Sequence, residues 1–242
     1  MSLEIRRVTE PAELEEVFRL RYRVYVQELQ YPQRYADPCS QTVREPLDEM
    51  GHILGLFDHS RLVGTCRINP AAESDLGEYV ELYQLQRFVP FFPRHVSVTT
   101  KGMILPEYRA GVPCLKMVLD CFRYLRMLTP AICFNFIDAR PHLLPLHRKV
   151  GYRQVFPNFQ HPDFGKVVHP LVLVVRDQGY LRWIQSPLAS VETDDGSDEN
   201  DSSVQFFYAR FGLESANPSN DAAFSGSEQE QRGEVQRCST AR

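Results

Sequence analysis

The chain has 242 residues, of which 43% are hydrophobic and 11% aromatic, enough apolar material for a sizeable folded core. Its net charge of -4 argues against a protein that binds nucleic acid along its whole length. No two of the six cysteines have CxxC spacing, so neither a zinc ribbon nor a redox motif is supported, and no metal site is expected. The charged N-terminal residues lack the apolar stretch of a signal peptide, and no apolar run is long enough to span a bilayer. A cytoplasmic protein without a transmembrane segment is therefore expected.

The charge is distributed unevenly along the chain. Residues 1–189 contain 23 Lys and Arg and 20 Asp and Glu, a net charge of +3, whereas residues 190–242 contain 4 and 11, a net charge of -7. The segment 192–203 is acidic and poor in apolar residues, a composition typical of disorder. We predict one folded domain over 1–189 and an acidic, largely disordered C-terminal tail over 190–242. A short apolar island at 204–213 interrupts this tail, and whether it packs on the domain is left open.

Hydrophobic periodicity predicts alternating strands and helices. Apolar residues at three- and four-residue spacing indicate a helix from about residue 11 to residue 30, and Arg21 lies on its apolar stripe. Two strand-forming segments joined by His59 and Ser60 indicate a hairpin. The predicted order is a strand at 3–8, the helix, a polar loop at 31–46, strands at 52–58 and 61–68, a short helix at 80–88, a strand at 95–105, a helix at 112–127, a strand at 131–138, a short helix ending at Gly151, and closing strands at 152–156 and 166–175. This order favours a mixed α/β sheet with helices on both faces.

The turn LPEYRAG (105–111) leads from a strand directly into a helix. Gly111 allows backbone N–H groups to approach a ligand closely, and the helix N-terminus supplies unpaired donors with positive dipole character. Arg109 adds a positive charge. Together they predict a cradle for a phosphate or pyrophosphate. The alternative is an ordinary turn in which Arg109 is solvated.

This turn resembles the acyl-CoA-binding motif of the GNAT superfamily, and HLLPLHRKVGYRQV (142–155) resembles the closing helix and strand of that superfamily. The resemblance implies an α/β fold with a mostly antiparallel sheet of six to seven strands and a splayed central strand pair. It also implies that an acyl-phosphopantetheine donor binds along one of these strands. His147 falls at the position of the tyrosine that usually protonates the departing thiolate. The implied donor-site residues are Met103, Ile104, Leu105, Arg109, Ala110 and Gly111.

The N-terminal half resembles the acyl-homoserine-lactone synthases and the long-chain N-acyl amino acid synthases, and the likeness extends over about residues 3–177. The matches are an arginine followed by an aromatic residue in the first helix, an acidic pair before the hairpin, and an arginine at the end of the second hairpin strand. The segment QLQRF (84–88) lacks the acidic residue of the lactone synthases, so plain N-acylation is favoured over lactone formation. The implied substrate-binding residues are Arg23, Tyr25, Glu45, Arg67 and Arg87, with Asp48 as the partner of Glu45.

Acyl transfer from a thioester to an amine needs few groups. The amine must lose a proton, for which Asp48, Glu49, Asp138 or a chain of water molecules is a candidate. The thiolate leaves most easily when protonated, which His147 would do as an imidazolium. For each of these side chains the alternative is an ordinary solvated, ion-paired or packed residue.

A basic segment surrounds the predicted donor site. Residues 107–153 contain eight Lys and Arg and three Asp and Glu, a net charge of +5. We expect no nucleic-acid partner, and an acidic acyl carrier protein fits better unless these are simply solvated helix faces. The predicted function is N-acylation of an amino acid, small metabolite or peptide with a medium or long acyl chain from acyl carrier protein or acyl-CoA. The alternatives are acetylation from acetyl-CoA and a catalytically degenerate GNAT-fold binding module.

Overall fold

Seven strands form one sheet in the computed structural model, which describes residues 2–109, 111–191 and 201–213. The spatial order is first, fourth, fifth, sixth, seventh, ninth and eighth strand, and the second and third strands form a separate pair. The sixth and seventh strands are parallel, and the other neighbours are antiparallel, as predicted. The strands are β1 Leu3–Arg7, β2 Ala36–Asp37, β3 Thr42–Val43, β4 His52–Asp58, β5 Arg61–Pro70, β6 Val96–Ile104, β7 Phe134–Ala139, β8 Phe159–Gln160 and β9 Val167–Val174.

Helices connect these strands and cover both faces of the sheet. They are α1 Pro11–Tyr22, α2 Tyr79–Leu82, α3 Val112–Met127, α4 Leu144–Val150, α5 Gln178–Trp183 and α6 Ser202–Phe211. A π-helical turn over Arg23–Glu28 extends α1, and α4 ends at Gly151, whose φ of +125° strains any residue with a Cβ. Within the described ranges no helix has the length and apolar character needed to cross a bilayer.

The core lies on both faces of the sheet because side chains alternate along each strand. Phe134 and Phe136 of β7 pack on one face with α6, whereas Ile137 and Ala139 pack on the other face with α3 and α4. The second of these faces is called the α3 face below. A third apolar cluster joins α1 to β4, β5 and β6.

Strands β6 and β7 part in the middle of the sheet. They pair only from Val96 and Phe134 to Val98 and Phe136. Beyond that point β6 continues to Ile104 against β5, and β7 continues to Ala139 against β9. Strand β6 carries one extra residue near Lys101, whose φ is +55°, and a bulge of this kind bends a strand away from its neighbour. The predicted splayed strand pair is therefore present.

The prediction of a closing strand over 152–156 was wrong. Arg153 makes a single bridge to Val172, and the strand that pairs with β9 is β8. Pro157, which lacks a backbone donor, lies between this segment and β8 and interrupts a continuous run of pairing with β9.

The apolar island at 204–213 forms most of helix α6. Asp201 caps this helix by accepting a hydrogen bond from the Ser203 amide at 2.8 Å. Val204 and Phe207 are buried against the sheet in the cluster that contains Phe134 and Phe136. Residues 192–200 and 214–242 lie outside the described ranges, so the domain boundary at 189 and the disorder of the tail stay predictions. The packing of α6 nevertheless carries the core as far as residue 211.

Candidate active site

The gap between β6 and β7 opens into a cavity of about 470 Å³, within the size range of ligand sites in proteins. Because the two strands part, this cavity reaches both faces of the sheet. We call its portion on the α3 face the apolar arm and its portion on the opposite face the polar arm. The apolar arm is lined by Cys66, Met117, Val118, Cys121, Phe122, Leu125, Val150, Leu173 and Leu188, and the polar arm by Tyr25, Tyr31, Tyr79, Lys101, Asp138, Arg140, His161 and Phe164.

The apolar arm lies inside the hydrophobic core. Leu125, Leu173 and Leu188 are each no more than 2% exposed, so the arm is enclosed rather than a surface groove. The thiols of Cys66 and Cys121 share a hydrogen bond 3.2 Å long, and this bond together with burial raises the pKa of Cys121. Cys121 is therefore a neutral thiol in the wall. An enclosed, uncharged arm of this kind suits a hydrocarbon chain.

Asp138 lies in the polar arm, where β7 ends. The Tyr83 hydroxyl donates a hydrogen bond to Asp138 Oδ1 at 2.8 Å. Burial, reinforced by the negative charge of Asp138, raises the pKa of both Tyr79 and Tyr83 well above the usual value, so both remain neutral hydroxyls. A carboxylate that receives only a neutral donor keeps lone pairs with which it can accept a proton.

A ladder of flat side chains closes the polar arm. The guanidinium of Arg140 lies 4.9 Å from the ring centre of Tyr31, Tyr31 stacks on Phe164 at 5.2 Å, and Phe164 stacks on His161 at 3.9 Å. Burial lowers the pKa of His161, which favours the neutral ring. The ladder joins the loop after α1, the end of β7 and the loop between β8 and β9.

A buried network of ion pairs borders the polar arm. Arg21 Nη1 lies 2.8 Å from both oxygens of Asp48, and Arg67 Nη1 lies 2.9 Å from Asp48 Oδ1 and from Glu45 Oε2. Lys101 forms an ion pair with Glu45. Burial alone would raise the pKa of Asp48, but Arg21 and Arg67 hold it below its usual value. Asp48 is thus an ionised network member outside the cavity lining, which makes it a poor candidate for the base.

The predicted donor strand faces the gap. Met103 and Ile104 line the cavity, while the amide of Leu105 donates to the carbonyl of Val63 at 2.8 Å. Met103 and Ile104 pair with β5 on one side, so their other side is directed to the space left by β7. The resemblance to the GNAT superfamily implies that the donor binds along this strand, and that role stays a prediction.

Arg109 lies at the rim of the cavity. Its Nε donates to the carbonyl of Ile104 at 2.8 Å, and its two terminal nitrogens pair with the carboxylate of Glu28. Gly111 precedes α3 with a φ of +72°, where glycine is favoured for backbone reasons. Ala110 lies outside the described residues. A phosphate at this turn would have to share or displace Glu28, so the cradle stays a prediction.

His147 lines the cavity from α4, with its ring edge-on to Tyr152 at 5.7 Å. Burial lowers the pKa of His147 to about 4, although the nearby Asp138 works in the opposite direction. The ring is therefore neutral at neutral pH. An imidazolium acid is not its resting form, and a neutral imidazole can accept or relay a proton instead.

The remaining predicted residues lie apart from the cavity, except Tyr25. Arg23 and Glu49 are exposed, and neither lines the cavity. The guanidinium of Arg87 lies 5.3 Å from the ring of Phe156 and 5.4 Å from that of Phe211, so it packs against α6. The structure thus brings together Tyr25, Asp138, His147 and the donor strand, and leaves Arg23 and Arg87 outside.

Sequence reasoning missed several lining residues. Arg140 was counted only within the basic segment, and Tyr31, Lys101, His161 and Phe164 were not singled out. A usable signal was present for Arg140, because it follows Asp138 by two positions in an extended segment and such residues share a face. The stacked ladder depends on loops far apart in sequence, and no local pattern indicates it.

Comparisons with known proteins agree with this geometry. Residues 20–118 match the family described as acetyltransferase (GNAT) domain. No curated protein matches the chain by sequence. Residues 20–118 are thus similar to a GNAT acetyltransferase domain, which supports an acyltransferase enzyme.

Solved structures with the same fold include acyl synthases. FeeM, an N-acyl amino acid synthase from uncultured soil microbes, is 15% identical, with 79% of this chain and 99% of that chain covered and a TM-score of 0.59. The CoA-dependent acyl-homoserine lactone synthase BjaI is 17% identical, with 85% and 99% covered and a TM-score of 0.59. A second such synthase, MesI, is 16% identical, with 87% and 96% covered and a TM-score of 0.54. At this level of identity the likeness concerns the fold.

Proposed function

We propose that the protein transfers a medium- or long-chain acyl group from a phosphopantetheine thioester to the amine of an amino acid, small metabolite or peptide. The observation that carries this proposal is the apolar arm, which continues from the strand gap into the core between the sheet and α3. An acetyl group needs no such space, whereas each methylene buried in the arm adds about 0.8 kcal/mol of binding free energy. The fold shared with an N-acyl amino acid synthase supports the same reading.

The two arms suit a direct transfer. The acyl chain occupies the apolar arm, the thioester carbonyl lies in the gap, and the amine enters through the polar arm. The C–N bond forms as the amine proton passes to Asp138, and the C–S bond breaks to release a thiolate that takes up a proton. A backbone amide of the parted strand β6 is suited to stabilise the oxyanion. His147, a neutral ring that lines the cavity from α4, relays a proton to the thiolate in this proposal.

The acyl arm can be tested with neighbouring substitutions on α3. Val118 lines the apolar arm, whereas Leu119 does not. We expect Val118→Phe to lower kcat/KM for the longest accepted acyl thioester by 10-fold or more, roughly fourfold for each methylene excluded, and to spare short chains. The measurement is a panel of acyl thioesters and amines read by mass spectrometry, with Leu119→Phe as the matched control. Wild-type preference for acetyl-CoA would instead indicate an acetyltransferase, and no turnover with any pair would indicate a binding module.

The donor in this proposal is an acyl carrier protein, with acyl-CoA as the alternative. Leu143 and Leu146, just before and within α4, are exposed and line the cavity, and Val112 and Leu115 of α3 are exposed on either side of the lining residue Cys114 in the chain. The exposed basic residues of the segment 107–153 include Arg148 and Lys149 as well as Arg123, which forms an ion pair with Asp120. Two members of the basic segment belong elsewhere, because Arg153 is buried against Asp177 and Arg140 lines the cavity. An apolar rim with flanking positive charge suits an acidic carrier.

Carrier choice predicts a difference in salt dependence. Opposed charges raise association rates and are screened over a Debye length of about 8–10 Å at physiological salt. We therefore expect kcat/KM with acyl carrier protein to fall more steeply with added salt than kcat/KM with acyl-CoA. The triple charge reversal of Arg123, Arg148 and Lys149 should selectively impair the carrier reaction. Equal losses of kcat/KM with both donors would indicate that these side chains are simply solvated and do not bind a carrier. Acyl-CoA would then be the preferred donor.

A further inference from the structure

Arg140 is the one Lys or Arg of the cavity lining without a carboxylate partner in the part of the chain that the structure describes. Lys101 pairs with Glu45, and Arg109 pairs with Glu28. Arg140 contacts the face of Tyr31 instead, and its buried Nε has no hydrogen-bond partner. An arginine stacked on an aromatic ring is held in place, and its guanidinium fork matches a carboxylate in two parallel hydrogen bonds. The positive charge of Arg140, which has no carboxylate partner among the described residues, therefore suits an anionic ligand.

The position of Arg140 relates this anion to the reacting amine. Asp138 and Arg140 both line the polar arm, and residues two apart in an extended segment lie about 7 Å apart on the same face. A molecule whose amine meets Asp138 thus has its neighbouring substituent near Arg140. An α-amino acid carries a carboxylate at that place.

We propose that Arg140 binds the carboxylate of the acceptor, so that the acceptor is a free α-amino acid rather than a simple amine or a peptide N-terminus. This inference rests on the proposed N-acyltransferase function and narrows its acceptor. The ring of Tyr31 packs against the guanidinium of Arg140, and Phe164 and His161 continue this stack beyond Tyr31. The donor phosphates are the other source of negative charge. The predicted cradle for these phosphates is at Arg109 and the start of α3 on the cavity rim, whereas Arg140 and Asp138 both line the polar arm.

The test compares paired acceptors and paired donors. The acceptors are the twenty common α-amino acids and their carboxamides, which keep the amine and remove the negative charge. The donors are an acyl-CoA and the matching acyl-N-acetylcysteamine thioester, which lacks phosphates. The variants are Arg140→Gln and, as a matched control, Arg182→Gln on α5, where Arg182 is exposed and away from the cavity lining.

We expect Arg140→Gln to raise the KM of the accepted amino acid by roughly 10- to 100-fold, the value of one charge-assisted pair. Turnover of the carboxamide and the KM of either donor should stay unchanged, and Arg182→Gln should resemble wild type. Equal losses for acid and carboxamide, or wild-type acylation of carboxamides and peptide N-termini as readily as of free acids, would overturn the proposal. A rise in the KM of acyl-CoA alone would assign Arg140 to the donor phosphates and also overturn it.

The failure of the proposed function has a different signature. In that case wild type forms no N-acyl product with any acceptor. Calorimetric titration of the same amino acids and carboxamides into wild type and Arg140→Gln then decides the role of Arg140. Binding of the free acids that is lost in Arg140→Gln supports the carboxylate site, whereas no binding, or equal binding of acid and carboxamide, contradicts it.

Discussion

Replacement of Asp138 by asparagine is expected to lower kcat on the order of 10²- to 10⁴-fold, the range of a general-base contribution. The asparagine side chain has the same shape and still accepts the hydrogen bond from Tyr83, so the polar arm should keep its geometry. It cannot take up the amine proton. The KM of the acyl donor should change little, because Asp138 lies in the polar arm rather than along the acyl chain.

The measurement is single-turnover acylation with saturating donor. Asp75→Asn, which removes the same charge from an exposed turn, serves as the control. Tyr83→Phe removes the hydrogen bond to Asp138 and should cause a smaller loss, since it leaves the carboxylate in place. A rate for Asp138→Asn within threefold of wild type would reassign the base to a water chain.

Substitution of Phe207 by alanine is expected to destabilise the fold by about 3–5 kcal/mol, the usual cost of emptying a buried phenylalanine site. Phe207 is fully buried, and its ring centre lies within 6.3 Å of those of Phe134, Tyr208 and Phe211. Arg153 also stacks over this ring at 4.5 Å while it pairs with Asp177, so a cavity here loosens a buried ion pair. The melting temperature should fall on the order of 10 °C.

This stability effect separates packing from catalysis. No residue of α6 lines the cavity, so kcat below the melting transition should equal that of wild type. Gln205→Ala, on the exposed side of the same helix, is the control and should leave the melting temperature unchanged. If the melting temperature of Phe207→Ala equals that of wild type, then α6 does not contribute to the stability of the domain.

The architecture was largely predictable because it depends on local patterns. Strand-forming residues around a short polar link indicated β4 and β5, and three- and four-residue spacing indicated α1. The strand–turn–helix around Arg109 and Gly111 resembles the GNAT donor motif, and that resemblance implied where the sheet opens. These signals lie within a few residues of one another, so they can be recognised without the fold.

Only part of the buried ion network could be predicted from the sequence. The position of Arg21 on the apolar stripe of α1 was visible in the sequence, and a buried arginine requires a partner. That partner is Asp48, which is 27 positions away and is shared with Arg67. Asp48, a candidate base in the sequence, therefore lies in a buried ion network outside the cavity lining, and its catalytic role stays a prediction.

The sequence by itself determined the class of fold, because hydrophobic periodicity is local, and the resemblance to the GNAT superfamily implied the strand along which a thioester donor would bind. Only the tertiary structure decided the contents of the two arms. The polar arm joins the loop after α1, the bulge of β6, the end of β7 and the loop before β9, and the apolar arm exists because β6 bends away from β7 over α3. Periodicity specifies which face a side chain takes, but the neighbours that it meets there depend on how distant segments pack. Only the structure shows that the other Lys and Arg side chains of the cavity lining are paired with carboxylates and that Arg140 is not, within the described residues.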